Sequence, residues 1–164
     1  MIQKRAVEKT DEAFLFQLYI STRADELAAW GWDKQMQEQF LQLQFLAQKN
    51  SYSTQYPDAE HLLIFSENIP TGRIMIARTE TKITLVDISL LPHHRNKGIG
   101  CTLIRELQQE AADTSRPLHL SVLPTNRAIH LYERLGFQTI DSSGFHIGME
   151  WTPTSSDEGP SIII

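Results

Sequence analysis

Two glycines and two basic residues separate a predicted strand from a predicted helix, in an order typical of an anion-binding turn. In VDISLLPHHRNKGIG, residues 86–100, Arg95, Gly98 and Gly100 follow the pattern R-x-x-G-x-G, with Lys97 beside them. Glycine adopts a positive φ without a steric penalty and leaves the backbone open to a ligand. The first amides of a helix have no partner inside it and favour negative charge. The segment therefore predicts a pyrophosphate site.

Two better-known glycine motifs do not fit this turn. A dinucleotide fingerprint requires a third glycine, but Gly100 is followed by Cys101, Thr102 and Leu103. A nucleoside triphosphate loop requires the lysine after its last glycine, whereas Lys97 precedes both. A plain strand-to-helix turn also favours glycine, so that alternative stays open on this motif alone.

A second motif follows in residues 119–137, HLSVLPTNRAIHLYERLGF. Alternating apolar residues before Pro124 predict a half-buried strand. Asn126 is expected to cap a helix that carries Tyr132 on its apolar face. Gly136 is expected to end that helix, and Phe137 to start the next strand. The chain therefore contains two successive strand–helix units, each with its own distinctive motif.

Taken together, the two motifs resemble those of the GNAT N-acetyltransferase superfamily. The resemblance extends from residue 2 to about residue 151, although the first half matches only in its order of elements. It implies the GNAT-type acyl-CoA N-acyltransferase fold, which is α+β. The sheet is mixed and mostly antiparallel, with about six to seven strands flanked by about four helices, and it splays open between the fourth and fifth strands.

Composition and charge agree with a single enzyme domain. The chain has 164 residues, 41% of them hydrophobic, and we assign residues 1–151 to one domain and 152–164 to a flexible tail. One cysteine favours a reducing compartment, and no signal peptide or membrane span is recognised, so we expect a cytoplasmic protein. A net charge of −5 argues against nucleic acid as a partner.

Hydrophobic periodicity and turn residues predict the elements that position the motifs. The first half is expected to contain a strand at 2–5, helices at about 10–29 and 33–49, and a polar loop at 50–58. Strands at 61–65 and 73–78 are expected to flank a turn at 67–72, followed by strands at 82–91 and 142–151.

The resemblance also implies a reaction and a cofactor, namely direct transfer of the acetyl group of acetyl-CoA (coenzyme A) to a primary amine. In such enzymes the end of the fourth strand contacts the pantetheine arm and the glycine turn holds the pyrophosphate. The matching positions here are Ile88, Ser89, Leu90, Arg95, Asn96, Lys97, Gly98, Ile99, Gly100, Cys101 and Asn126.

Tyr132 matches the family tyrosine that donates a proton to the departing thiolate. A phenol with a pKa of about 10 can supply a proton to a thiolate whose conjugate acid has a pKa near 8.5. The alternative is a tyrosine that only packs in the core. Asn126 likewise has a structural alternative as a helix cap, and the two roles can coexist.

Asp87 is the candidate base. It lies between Val86 and Ile88 in a predicted strand, where an acid is unusual, and relatives place a carboxylate at this position. Strand alternation puts Asp87 on one face with Ser89. The alternative is a carboxylate that only holds a neighbouring group in place.

Residues of the first two helices and of segment 50–58 are expected to bind the acceptor amine. The candidates are Arg23, Glu26, Trp30, Trp32 and Tyr52. Acids could pair with a cationic amine, aromatic faces could bind it, and Arg23 could instead bind a carboxylate. The tryptophans could equally well seal the helix hairpin.

Other functions and partners remain open. The preferred partner is a small-molecule amine, with a protein or peptide amine as the alternative. A non-catalytic acyl-CoA sensor is the main alternative outside enzymes. No metal is expected, because His93 and His94 have no third ligand at suitable spacing. A homodimer is compatible with the resemblance.

Overall fold

The structure is a computed structural model that describes residues 1–153, so the predicted tail from residue 154 onward lies outside the described residues. The helices are α1 (Glu12–Ala28), α2 (Lys34–Gln55), α3 (Ile99–Asp113) and α4 (Ala128–Arg134), with short 3-10 helices at Lys9–Asp11 and Pro92–His94. The strands are β1 (Ile2–Ala6), β2 (Glu60–Ser66), β3 (Ile69–Arg78), β4 (Ile83–Leu90), β5 (Leu118–Val122), β6 (Gln138–Asp141) and β7 (Ile147–Trp151). Across the described part of the chain, no helix has the length and apolar character to cross a membrane.

The strands form one mixed sheet in the order β1-β2-β3-β4-β5-β7-β6. The pairs β1–β2, β5–β7 and β6–β7 are antiparallel. The pair β4–β5 is parallel, with Ile83–Leu85 opposite Leu118–Leu120. A parallel pair needs a crossover connection, and α3 lies in the connection between these two strands. The predicted α+β class, with a mixed sheet and about four helices, is confirmed.

Contacts divide the chain into two compact units. The first consists of Met1–Met75 and Asp87–Arg95, and its fully buried side chains include Leu18, Leu63 and Ile64. The second consists of residues 76–86 and the described residues from 96 onward. Its fully buried side chains include Ile83, Leu103, Ile104, Leu118 and Met149, which come from α3 and the strands.

Helix α2 is longer than its sequence pattern predicts. The helix begins where it was predicted, and Asp33 caps it, since its carboxylate accepts from the Met36 amide at 2.8 Å. The predicted loop at 50–58 is wrong over its first six residues, which continue the helix to Gln55. No glycine or proline interrupts residues 50–55, so their modest helix propensity is sufficient, and the helix ends just before Pro57.

The β2–β3 connection is shorter than predicted, because only Glu67 and Asn68 form the turn. Both have positive φ, 51° and 66°, as a two-residue hairpin turn requires. The predicted turn at 67–72 is therefore wrong from Ile69 onward, where β3 begins. Gly72 is glycine for a packing reason, since a Cβ there would lie 2.1 Å from the Ser89 carbonyl oxygen. Close approach of two strands, and not a turn, explains this residue.

Candidate active site

Asp87 lies near the end of β4, where two side chains hold its carboxylate. Arg73 of β3 donates from Nε to Oδ2 at 2.8 Å. The Ser89 hydroxyl donates to both carboxylate oxygens, at 3.4 Å to Oδ1 and 3.3 Å to Oδ2. Asp87 and Ser89 therefore lie on one face of the strand, as the alternation predicts. The carboxylate is oriented by an ion pair that the sequence does not reveal.

Arg73 is the first of two residues of this site that sequence reasoning missed. It is only 7% exposed, and arginine is rarely this buried unless it is paired. Besides Asp87, its Nη2 donates to Gln48 Oε1 of α2 at 2.9 Å, and its guanidinium lies 5.9 Å from the Tyr52 ring centre. The available signal was a cation at the start of the apolar strand run from Ile74 to Ala77. A charge in such a run requires a partner nearby.

Tyr52, a predicted acceptor-binding residue, lies in the part of α2 that was predicted as loop. Burial raises the pKa of Tyr52 to about 12, and the neighbouring Asp87 charge acts in the same direction. The phenol therefore keeps its proton at neutral pH. The structure brings Tyr52 together with Asp87 through Arg73, so one of the predicted substrate residues lies beside the predicted base.

His61 of β2 is a second residue that the sequence did not single out. The pKa of His61 is lowered to about 4, mainly by burial and also by the positive charge of Arg73, while Asp87 opposes the shift. The imidazole is therefore neutral at pH 7. Its Nε2 is buried and has no hydrogen-bond partner among residues 1–153.

The two tryptophans lie at the α1–α2 connection and pack on each other and on Phe40. The ring centres are 5.3 Å apart for Trp30–Trp32, 5.8 Å for Trp30–Phe40 and 5.4 Å for Trp32–Phe40. This cluster seals the end of the hairpin that α1 and α2 form. Sealing the hairpin is the structural role that the sequence analysis gave as the alternative to acceptor binding. Trp30 is still 50% exposed, which leaves part of its face free for a ligand.

Of the remaining predicted substrate residues, Arg23 lies over an aromatic ring and Glu26 is exposed. The Arg23 guanidinium carbon is 5.2 Å from the centre of the Tyr19 ring. Tyr19 is itself buried and packs in a cluster with Leu27 and Leu41. The contact therefore fixes Arg23 on a rigid support.

The end of the first unit contains Arg95, predicted to hold a pyrophosphate. Its Nε donates to the Leu90 carbonyl at 2.9 Å, which ties the residue to the end of β4. His93 and His94 occupy the 3-10 helix before it, with ring centres 5.5 Å apart. Among the described residues no three His, Cys, Asp or Glu side chains come together as a metal site requires.

Helix α3 of the second unit begins directly after the glycine turn. Asn96 and Gly98 both have positive φ, 60° and 85°, and Gly98 is the N-cap residue. Gly98 has no side chain that could cap the first amides of α3. These amides are therefore available to an outside acceptor. Cys101 is half-buried in the first turn. The turn therefore has the backbone conformation that the sequence predicted, and the anion site itself stays a prediction.

Replacement of the two glycines by alanine should have different effects on stability. Gly98→Ala places a Cβ on a left-handed residue and should lower the free energy of unfolding by about 1–2 kcal/mol. Gly100→Ala is the matched control, because its Cβ would meet only Leu131 Cδ2 at 4.0 Å. Urea denaturation of both variants checks this, and equal losses would contradict the left-handed turn.

Tyr132 of α4 is 7% exposed, and its ring packs edge-on against Phe137 with centres 5.8 Å apart. Asn126 Oδ1 accepts from the Ala128 amide at 2.9 Å, so the predicted capping bond is present, although the helix begins one residue later than an Asn126 N-cap implies. Gly136 has a φ of 97°, the expected end of the helix. The motif is therefore a short, well-bounded helix that fixes the Tyr132 ring.

The sequence of this region matches a known family. Residues 57–139, which are 83 of the 164, match the model of the acetyltransferase (GNAT) domain. The chain belongs to the GNAT acetyltransferase family. No curated protein matches the chain significantly by sequence.

Solved structures show the same fold. The PaiA N-acetyltransferase of Thermoplasma acidophilum, solved with coenzyme A, is similar at a TM-score of 0.67 and 21% identity, over 93% of this chain and 99% of that one. The ribosomal-protein-S18-alanine N-acetyltransferase of Escherichia coli is similar at a TM-score of 0.60 and 22% identity, over 97% of this chain and 98% of that one. The N-acetyltransferase PseH of Campylobacter jejuni, solved with acetyl coenzyme A, is similar at a TM-score of 0.58 and 16% identity, over 94% of this chain and 100% of that one. At these identities the similarity establishes the fold alone.

Proposed function

We propose that this protein transfers the acetyl group of acetyl-CoA directly to a primary amine of a small molecule. One observation carries most of the support. The family-matching segment contains the R-x-x-G-x-G turn, and its Gly98 adopts a left-handed φ of 85° immediately before α3. This is the backbone conformation that directs helix amides toward an anion.

The residues of the turn fit the pyrophosphate of acetyl-CoA. A Cβ at Gly98 would meet no atom within 4 Å, so the turn is open on that side, and no side chain caps the α3 amides described above. Arg95 and Lys97 add positive charge. Ile88, Ser89, Leu90 and Asn126 are proposed to contact the pantetheine arm. When bound, acetyl-CoA supplies the acetyl group as an activated thioester.

Asp87 is proposed to accept the proton that the acceptor amine must lose. An amine with a pKa of about 10.4 is almost wholly protonated at pH 7, and its deprotonation costs about 4.6 kcal/mol. Arg73 and Ser89 fix the carboxylate through Oδ2, while Oδ1 accepts only the 3.4 Å contact from Ser89 among the described residues. Oδ1 can therefore accept from an amine, directly or through one water.

Tyr132 is proposed to donate a proton to the CoA sulfur as it leaves. Its position on α4 is fixed by the Phe137 contact and by the helix ends at Asn126 and Gly136. Proton donation by a fixed group avoids the formation of a free thiolate. In this scheme Asp87 and Tyr132 act on different atoms, the amine nitrogen and the thiol sulfur.

Thermal unfolding with and without acetyl-CoA tests the proposal first. A ligand at a hundredfold its Kd stabilises the folded state by about 2.7 kcal/mol. For a chain of this length the midpoint should rise by about 5–10 °C. NAD and ATP serve as controls, and S-acetyl-pantetheine, which lacks the pyrophosphate, should give a smaller shift at equal concentration.

The outcomes separate the proposed function from its alternatives. No shift at saturating acetyl-CoA would contradict acetyl transfer. A rise in the melting midpoint with acetyl-CoA, but no release of CoA in the presence of any small amine or peptide, would indicate an acyl-CoA sensor. Release with peptides alone would indicate a protein acceptor in place of a small molecule.

A further inference from the structure

Helix α2 exposes three large apolar side chains on the side that is turned away from α1. Leu43 is 69% exposed, Leu46 52% and Met36 48%. The buried side of the helix is marked by Leu41, which packs in one cluster with Tyr19 of α1. At about 100° per residue, Met36 and Leu46 lie within about 60° of Leu43 around the helix, whereas Leu41 lies about 160° away. Helix α2 therefore has two apolar faces, and the packing against α1 uses only one of them.

The exposed apolar face of α2 contains no charged residue, and the structure describes this helix throughout. We define the outer face as the residues within about 60° of Leu43, which are Met36, Gln39, Phe40, Leu43, Leu46, Ala47, Asn50 and Thr54. The charged residues of α2 are Lys34, Glu38 and Lys49, and each lies at least about 120° from Leu43. Lys49 agrees with this orientation, since its Nζ donates to Glu12 Oε1 of α1 at 2.9 Å.

This lack of charge indicates that the outer face of α2 is covered by protein. The exposed side of a surface helix ordinarily carries charged side chains. The core of a protein–protein interface, in contrast, is depleted of charge and enriched in residues such as methionine. Nucleic acid and anionic lipid would require cations, which the outer face lacks.

A second copy of this chain is the protein partner that the outer face fits. Each copy has a net charge of −5, so two copies repel each other and approach most closely through a face without charge. A partner of opposite charge would be recognised by complementary charges on the outer face, and there are none.

The outer face is also complementary to itself. In two antiparallel copies of α2 related by a two-fold axis at Leu43, each residue lies opposite the one equally far on the other side of residue 43. Leu43 then meets its own copy, Phe40 lies opposite Leu46 of the second copy, and Met36 lies opposite Asn50 of the second copy. Like charges do not meet in this contact, and the two-fold symmetry closes it at two chains.

The size of the outer face determines how strong such a dimer can be. The 22 residues of α2 span about 33 Å, and a helix is about 10 Å wide. This footprint is smaller than the about 800 Å² that each partner buries in a standard interface. We therefore expect a reversible dimer that dissociates on dilution, with a Kd on the order of micromolar.

We propose that the outer face of α2 is a dimerisation surface on which a second copy of this chain packs its own α2 in the antiparallel direction. The contact lies on the side of α2 opposite Leu41, and it is independent of the proposed acetyl transfer.

Sedimentation velocity of the full chain, from about 1 µM to about 1 mM, tests the dimer. Wild type should change from the mass of one chain to twice that mass as the concentration rises. Leu43→Glu should raise the dimer Kd by at least about 10-fold, because the two-fold contact would bury two unpaired charges. Leu43→Lys should have the same effect, although it moves the net charge of −5 one unit toward zero and so reduces general repulsion.

Ile140→Glu is the matched control for these variants. Ile140 of β6 is 54% exposed, close to the value for Leu46, and it lies outside α2. This variant should leave the dimer Kd unchanged within about threefold. The proposal is wrong if wild type stays monomeric over the whole range, or if the two Leu43 variants weaken the dimer no more than Ile140→Glu does.

Disulfide cross-linking tests the antiparallel geometry. In a Cys101→Ser background, which removes the one native cysteine, Leu43→Cys should form a disulfide between two chains because residue 43 meets its own copy. Gln55→Cys is the control, since residue 55 lies about 18 Å along the helix from the axis and about 36 Å from its copy. Cross-linking of Gln55→Cys as fast as that of Leu43→Cys would rule out this packing of α2.

Discussion

Tyr132→Phe should lower kcat for acetyl transfer by about 100-fold or more while the protein stays folded. General acid catalysis by a positioned group typically contributes about 10²–10⁴-fold in rate. The phenylalanine ring retains the packing of Tyr132 against Phe137, and the hydroxyl that would donate the proton is lost. Steady-state CoA release, together with circular dichroism of the variant, measures both parts of this prediction.

Two further measurements separate a catalytic effect from a structural one. The acetyl-CoA shift in melting midpoint should be the same in Tyr132→Phe as in wild type. Glu133→Gln, at the next position on α4 with a 59% exposed side chain, should leave kcat unchanged. An unchanged kcat in Tyr132→Phe would remove Tyr132 from the mechanism and leave it as a core residue.

Arg73→Met should produce the largest loss of stability, about 3 kcal/mol in the free energy of unfolding. Removal of one partner of a buried ion pair leaves an uncompensated charge and typically costs about 3–5 kcal/mol. The low end of this range applies to Arg73→Met because the Asp87 side chain is 20% exposed, so water partly solvates the carboxylate that is left unpaired. The melting midpoint should fall by about 6–12 °C.

A double-mutant cycle with Asp87→Leu identifies the cause. Each single variant leaves a buried charge alone, whereas the double variant removes both charges. The double variant should therefore be more stable than the sum of the two single losses predicts, by about 1–3 kcal/mol. Simple additivity in urea denaturation would show that Arg73 and Asp87 do not stabilise each other. The double variant should also lose acetyl transfer, since the proposed base is absent.

Local sequence patterns were most reliable where a residue's role depends on its own backbone. The left-handed Gly98 and Gly136 and the Asn126 bond to the α4 amide all follow from residue type and near neighbours. The alternation that puts Asp87 with Ser89 is equally local. These features determine each motif, and the motifs in turn predicted the family and the fold class correctly.

Errors occurred where a turn-forming residue serves another purpose. Pro70 and Gly72 were predicted in a turn, but both lie in β3. Gly72 is required by the Ser89 carbonyl, which comes from a strand 17 residues further along the chain. Residues 50–55 are polar enough for a loop, yet Tyr52 extends α2 and packs beside Arg73. In the first case a contact with a distant segment decided the local structure, whereas in the second the uninterrupted helix propensity of residues 50–55 was sufficient.

The sequence by itself determined the two motifs, their glycines and caps, and through them the GNAT family, because these depend on interactions within a few residues. Only the tertiary structure decided what surrounds the candidate base. Arg73 lies 14 residues from Asp87 and 25 from Gln48 along the chain, yet it donates a hydrogen bond to each. A buried charge must find its partner in space, and the pairing of strands with the packing of α2 brings these side chains together.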